Sequence, residues 1–220
     1  SDVYKRQVFI LKFIVGKHPK MHLILAAVGI VMIVIFIMWL KANMPLDSEM
    51  DKYPYQIRRF FGWLDPERYA GTLGYQPLQS LYAIGSGGLL GKGLGNGTQK
   101  LSNIPEAQND MIFAIICEEL GLIGVIIMFL MFGYLLYQMV IVVKESRNIY
   151  ASVVVIGVIL HIIFQIIVNV CVAVNFFPNT GVSLPFISAG GSAIICTLME
   201  IGLVIGIRRQ QVNRKYSRIS

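Results

Sequence analysis

Four stretches of this chain, His22–Leu40, Ile112–Val143, Ala151–Val174 and Ala189–Ile207, stay apolar for the roughly 20 residues that a helix needs to cross a hydrocarbon core. Backbone polar groups inside lipid must be satisfied within the segment, so such runs fold as helices. The sequence therefore predicts an all-α polytopic membrane protein with four transmembrane helices. Composition bears this out: charged residues make up 14% of the 220, against about 25% in a soluble domain. Ile112–Val143 is overlong for one crossing and is expected to tilt or to extend beyond the bilayer. Val8–Val15 is too short to cross and reads as the stump of an earlier span.

The net charge of +7 raises the question of nucleic acid. The positions of the basic residues answer it. They cluster at Lys17 and Lys20, at Lys144 and Arg147, and at Arg208, Arg209, Arg214, Lys215 and Arg218. Each cluster abuts the end of an apolar run, where Lys and Arg mark the cytoplasmic side and attract anionic lipid. Membrane lipid is the partner this implies, and nucleic acid is not. The clusters alternate consistently if all three are cytoplasmic, which places the large loop 42–110 and the shorter Asn175–Ser188 outside and the tail 208–220 inside. The cysteines Cys117, Cys171 and Cys196 fall within apolar runs, without the spacing of a metal site or a disulfide framework, and read as small buried hydrophobes. The opening SDVYKRQ has no signal-peptide pattern and resembles a translated transposon end. Residues 1–7 are accordingly expected to be a sequencing artefact on a truncated gene, and residues 8–220 to be membrane domain.

The large loop is not a featureless linker. Pro54–Leu64 mixes aromatic residues with Arg58 and Arg59, the composition of a helix lying in the membrane interface. Gln76–Ile84 has apolar residues at helical spacing, and the glycine-dense Gly85–Gly97 follows. That stretch fails the Walker pattern, which would need glycine at Ser86 and Ser or Thr at Gly93. It also fails the dinucleotide fingerprint, because Asn96 stands where the third glycine belongs. Two readings stay open. Its backbone N–H groups, with Lys92 and Lys100, could face a phosphate, or it is a tight surface turn needing positive φ.

The sharpest local feature is IPEAQNDMIF. Asp110 is the last polar residue before an apolar helix, and Glu106, four residues earlier, shares its face if the stretch is helical. A partly desolvated carboxylate at a membrane mouth can act as a general base. Equally, Asn109 or Asp110 could cap the helix. Deeper in the same run, Glu118 and Glu119 lie about 100° apart on a helix and are not expected to face one neighbour. With Glu200 they are costly intramembrane acids, for which pairing and function are both open. His161, Gln165 and Asn169 recur every four residues and suggest interhelical hydrogen bonding, or a proton path. Pro178, Pro185, Gly190 and Gly191 forbid a regular helix between the last two spans, so a re-entrant loop lining a site is expected there.

Together, YQIRRFFGWLDP, QSLYAIGSGGLLGKGLGNGTQK, IPEAQNDMIFAIICEELGLIG and PNTGVSLPFISAGGSA resemble the SEDS family, the shape, elongation, division and sporulation proteins of bacterial cell-wall synthesis. The match in order and spacing runs from about Lys41 to the C-terminus. The resemblance implies the C-terminal part of a fold of roughly ten membrane-crossing helices, of which this chain carries the last four. It implies a peptidoglycan glycosyltransferase that polymerises lipid II, with inversion, on the outer face of the bacterial cytoplasmic membrane. Asp110 would be the family's essential loop aspartate, deprotonating the acceptor hydroxyl. Lys92, Lys100, Arg58 and Arg59 would balance the diphosphate charge, and Glu106, Gln99 and Ser188 complete the expected substrate-binding set. No metal ligand and no cofactor is assigned, although a divalent-cation requirement is left open. A class B penicillin-binding protein transpeptidase is the implied protein partner. WLDP and GLGNGTQK lean toward the division branch of the family, similar to FtsW. Asn109, Met111 and Ala189 depart from the common pattern without removing a titratable group. A lipid II flippase and a non-catalytic scaffold for the transpeptidase are the competing expectations, and these 220 residues alone are expected to be inactive.

Overall fold

The computed structural model describes residues 19–97, 110–146 and 148–216. It divides into two compact units, residues 1–45 and 46–220. The first unit contributes one helix, α1 (Pro19–Ala42). Proline at its first position costs nothing there, since the missing N–H has no helical partner. Asn43 ends the helix: its side-chain amide donates to the Trp39 carbonyl at 2.9 Å, satisfying an acceptor the last turn leaves open.

In the second unit a 3₁₀ turn, Asp47–Lys52, leads through Pro54 into α2 (Tyr55–Leu64). This is the aromatic and arginine segment, now seen as a short helix with Phe61 and Gly62 buried. Phe61 packs edge-on against Tyr53, ring centroids 5.4 Å apart. Helix α3 (Tyr75–Gly87) follows. Three long helices complete the unit: α4 (Ile112–Glu145), α5 (Ile149–Ala173) and α6 (Gly191–Tyr216). Asn148 starts α5 by accepting the Tyr150 N–H on its side chain. The core lies between α4 and α5, around Met128, Phe132, Met139, Val155, Val158 and Ile162, with Val204 of α6 added.

No strand occurs among the described residues, and α4, α5 and α6 are each long and apolar enough to cross a membrane. The described apolar part of α1, Ala27–Ala42, is shorter. The ends of α4 and α6 are tied together: Arg208 donates to Glu145, and Gln211 donates to the Val142 carbonyl at 3.2 Å. Lys144, Arg208 and Arg209 therefore gather at one end of the bundle, while the start of α4 and the α5–α6 connection lie at the other.

One expectation is corrected here. The overlong apolar run is not one continuous helix, because Gly121 sits at φ 65° and ψ −164° and breaks α4 into two segments. The cysteines also divide. Cys117 is buried as expected, but Cys196 is exposed on α6.

Candidate functional site

The break in α4 would strand carbonyls on one side and N–H groups on the other. The glycine-dense stretch after α3 supplies both sets of partners. The N–H groups of Lys92 and Gly93 donate to the carbonyls of Glu118 and Glu119 at 2.9 and 3.0 Å. The carbonyls of Gly88 and Leu89 accept from Leu122 and Ile123 at 3.0 and 3.2 Å. Such close approach of two backbones needs bare glycine. A Cβ on Gly87 would lie 1.9 Å from the Cys117 carbonyl oxygen, and one on Gly91 would lie 2.2 Å from that of Glu119. The phosphate-cradle reading of this stretch is thereby corrected for Lys92 and Gly93, whose N–H groups are already committed to α4.

The side chains follow the backbone. The Lys92 Nζ lies 2.7 Å from the Glu118 Oε1, the lysine about a third exposed and the glutamate fully buried. A Cβ on Gly97 would meet Glu118 Oε2 at 3.0 Å and Glu119 Cγ at 3.2 Å. Both glutamates thus reach the same neighbour, against the expectation from regular helical geometry. The reason is that the partner is a loop wrapped around the helix end, which can touch two successive directions at once. Lys92 belongs to this buried fastening of loop to helix.

Asp110 lies two residues before α4, half-buried. The cap position of that helix is Met111, which makes no side-chain cap bond. A Cβ on Gly181 would stand 3.6 Å from Asp110 Oδ2, and Gly181 adopts φ +71°. The carboxylate therefore faces bare backbone in the α5–α6 connection. The fully buried Asn169 of α5 joins the two pieces: its Nδ2 donates to the Asp110 carbonyl at 3.0 Å and to the Val182 carbonyl at 2.8 Å. Both neighbours are acceptors, so the group facing them must be the NH₂, and chemistry fixes the orientation of the amide.

The connection from 174 to 190 is irregular but anchored throughout. Trp63 Nε1 donates to the Asn175 carbonyl at 3.0 Å, and Asn175 returns a bond to the Trp63 carbonyl at 3.2 Å. Arg59 donates to the Asn179 carbonyl at 3.2 Å while its guanidinium lies over the Tyr55 ring at 4.8 Å. Asn179 donates to Gln76 at 3.0 Å and accepts the Gly181 N–H at 3.1 Å. Ser80 donates to the Ala173 carbonyl at 2.7 Å. Helices α2 and α3 thus hold the loop that faces Asp110.

Of the residues singled out in the sequence, Arg59 and Asp110 meet the same loop. Arg58 turns away to Asp51 at 2.7 Å. Ser188 is buried, its hydroxyl accepting the Leu184 N–H at 2.7 Å. Lys100, Gln99 and Glu106 lie outside the described residues. Farther along α5, His161 Nδ1 pairs with Glu200 of α6 at 2.7 Å, and Gln165 contacts His161 Nε2 at 3.2 Å. That part of the polar stripe is interhelical, whereas Asn169 serves loops. Among the described residues no group of three or more His, Cys, Asp or Glu side chains could hold a metal ion. Sequence reading undervalued Asn169, Gln76 and Asn179. Gln76 and Asn179 each stand beside a proline, whereas Asn169 was marked only by its place in the four-residue polar stripe of α5.

The sequence matches the FtsW/RodA/SpoVE cell cycle protein family over residues 3–213, and the chain belongs to that family. It is 41% identical over 156 residues to stage V sporulation protein E of Bacillus subtilis, covering 71% of this chain and 43% of that protein. It is 32% identical over 214 residues to a probable peptidoglycan glycosyltransferase FtsW of Trichlorobacter lovleyi, covering 93% and 56% respectively. Among solved structures it resembles a chain of a peptidoglycan synthase complex studied for its coordination of polymerization and crosslinking. There the TM-score is 0.63 at 27% identity, over 93% of this chain and 53% of that one. The chain spans about half the length of the relatives it matches.

Proposed function

We propose that this chain provides the base-bearing part of a peptidoglycan glycosyltransferase that polymerises lipid II. Asp110 takes the proton from the acceptor sugar hydroxyl, which attacks the anomeric carbon of the lipid-diphosphate donor. The anomeric carbon–oxygen bond breaks, the diphosphate lipid leaves with that electron pair, and the configuration inverts. A single base and a good leaving group suffice for this. The observation that carries the reading is the half-buried Asp110 carboxylate held against the bare backbone of Gly181. Gly181 is exposed and carries no side chain, so a hydroxyl can approach the carboxylate there.

The remaining parts fit this role. Arg59 is the described cation bound to the facing loop, so it is the first candidate to balance diphosphate charge. Lys100, Gln99 and Glu106 are the candidates beside Asp110 in sequence. Lys92 is reassigned from diphosphate to the α4 break on the strength of its contact with Glu118. The basic end of the bundle is placed in the cytoplasm, with four spans and the Asp110 end outside. The relatives' naming as FtsW and the synthase-complex neighbour support a transpeptidase partner.

The test uses the full-length protein carrying this chain, purified with its transpeptidase partner and given lipid II. Asp110→Ala is expected to abolish glycan product while lipid translocation and partner binding persist. Normal glycan from that variant removes the base assignment. Loss of translocation alone would point to a flippase.

A further inference from the structure

We propose that Asn169 is a positioning residue for Asp110, its buried carboxamide fixing the aspartate's backbone to the α5–α6 loop so that the carboxylate is aimed beside Gly181. The inference rests on the reading of Asp110 as the base. Asn169 lies on α5 amid Val168 and Val172, where an aliphatic residue would pack without any polar penalty. Instead a fully buried amide is present, and both its N–H bonds go to carbonyls of residues that flank the site.

The direction of these bonds matters. One carbonyl belongs to Asp110 itself and the other to Val182, next to the glycine that the carboxylate faces. The distance between base and loop is thus set by a single planar group. Its two hydrogens diverge at fixed angles, so neither residue can shift without losing a bond. The Asn169 Oδ1 is buried and has no hydrogen-bond partner among the described residues. Only the NH₂ end of the side chain is therefore used, which suits a double donor and nothing else. An aspartate at 169 would keep the shape and turn a carboxylate oxygen toward two carbonyl oxygens. Misplacing a reacting group by about 1 Å can cost about 100-fold in rate.

The experiment compares Asn169→Ala, Asn169→Asp and Ser80→Ala in the full-length protein with its partner. Initial rates are measured against lipid II concentration, and thermal midpoints are taken on the same samples. Ser80→Ala removes another buried side-chain bond to a main-chain carbonyl, that of Ala173 at the end of α5, that does not touch Asp110. The Asn169 variants are expected to lose about 10- to 100-fold in kcat, with the KM for lipid II within about twofold. Ser80→Ala is expected to keep kcat within about twofold even where its midpoint falls as far. If Asn169→Ala does not fold, the volume-conserving Asn169→Asp carries the test. Failure of both to fold would assign Asn169 to packing and overturn the inference. So would an unchanged kcat in Asn169→Asp, or an equal kcat loss in Ser80→Ala. Asp110→Asn measured alongside separates the two ideas. Activity retained there overturns the base reading and this inference with it. Activity lost there, with Asn169→Asp fully active, overturns this inference alone.

Discussion

Gly87 shows how far single residues decide this architecture. A methyl group there would have to occupy space within 1.9 Å of the Cys117 carbonyl oxygen, and that oxygen belongs to a helix backbone that cannot step aside. Gly87→Ala is therefore expected to destabilise by at least about 2 kcal/mol. Gly85, two residues earlier on the same helix, has nothing within 4 Å of the place a methyl group would take. Gly85→Ala is expected to be neutral, or to gain up to about 1 kcal/mol from reduced backbone freedom. Denaturation midpoints of the two variants in detergent check the contrast. Lys92 offers a second comparison. Lys92→Met removes the ammonium beside a fully buried carboxylate, which breaks up a buried pair one-sidedly. The lysine is about a third exposed, so the expected cost is about 3 kcal/mol, the low end for such pairs. Adding Glu118→Gln should recover part of the loss. A role in diphosphate binding would instead raise KM without moving the midpoint.

At the scale of elements, α4 is the informative one. A break inside a membrane-crossing helix is tolerated where protein covers it, and the glycine stretch covers this one with four backbone bonds to α4. The amides of Leu122 and Ile123 should therefore exchange with solvent as slowly as those of the neighbouring helical turns. Hydrogen-exchange mass spectrometry on the lipid-embedded protein measures this, and fast exchange there would mean that the stretch is not seated. Most of the long helices were legible beforehand, because twenty apolar residues admit few alternatives. Helices α2 and α3 were legible from aromatic and apolar spacing. The break was not. LGLIG at 120–124 reads as apolar helix with two tolerable glycines, and only the arrival of a second backbone reveals why Gly121 must be glycine. For the same reason Glu118 and Glu119 were expected to diverge. Periodicity describes a helix alone and cannot foresee a loop that wraps its end.

Across the whole molecule, the second unit is a bundle with two unlike ends. At one end Arg208, Glu145 and Gln211 tie α6 to α4. At the other, α2, α3 and the α5–α6 connection close around the start of α4, with Asn169 reaching both Asp110 and Val182. The candidate site was marked in the sequence by Asp110, the last polar residue before an apolar helix. Which residues support it was not legible. Asn169, Asn179 and Gln76 lie far apart in the chain and meet only through tertiary packing, so no spacing rule joins them. Helix α6 is mostly exposed along its apolar length, whereas more than half of the apolar stretch of α4 is buried, so much of the α6 surface is free for lipid or further helices. That agrees with a chain spanning about half of its relatives. The role proposed for Asp110 is to accept a proton during glycosyl transfer. Its most direct test is the initial rate of lipid II consumption by the full-length protein carrying the near-isosteric Asp110→Asn. The expected result is a fall of at least about 100-fold, the usual contribution of a general base, with the transpeptidase partner still bound. A rate within about twofold of the unmodified protein would contradict it.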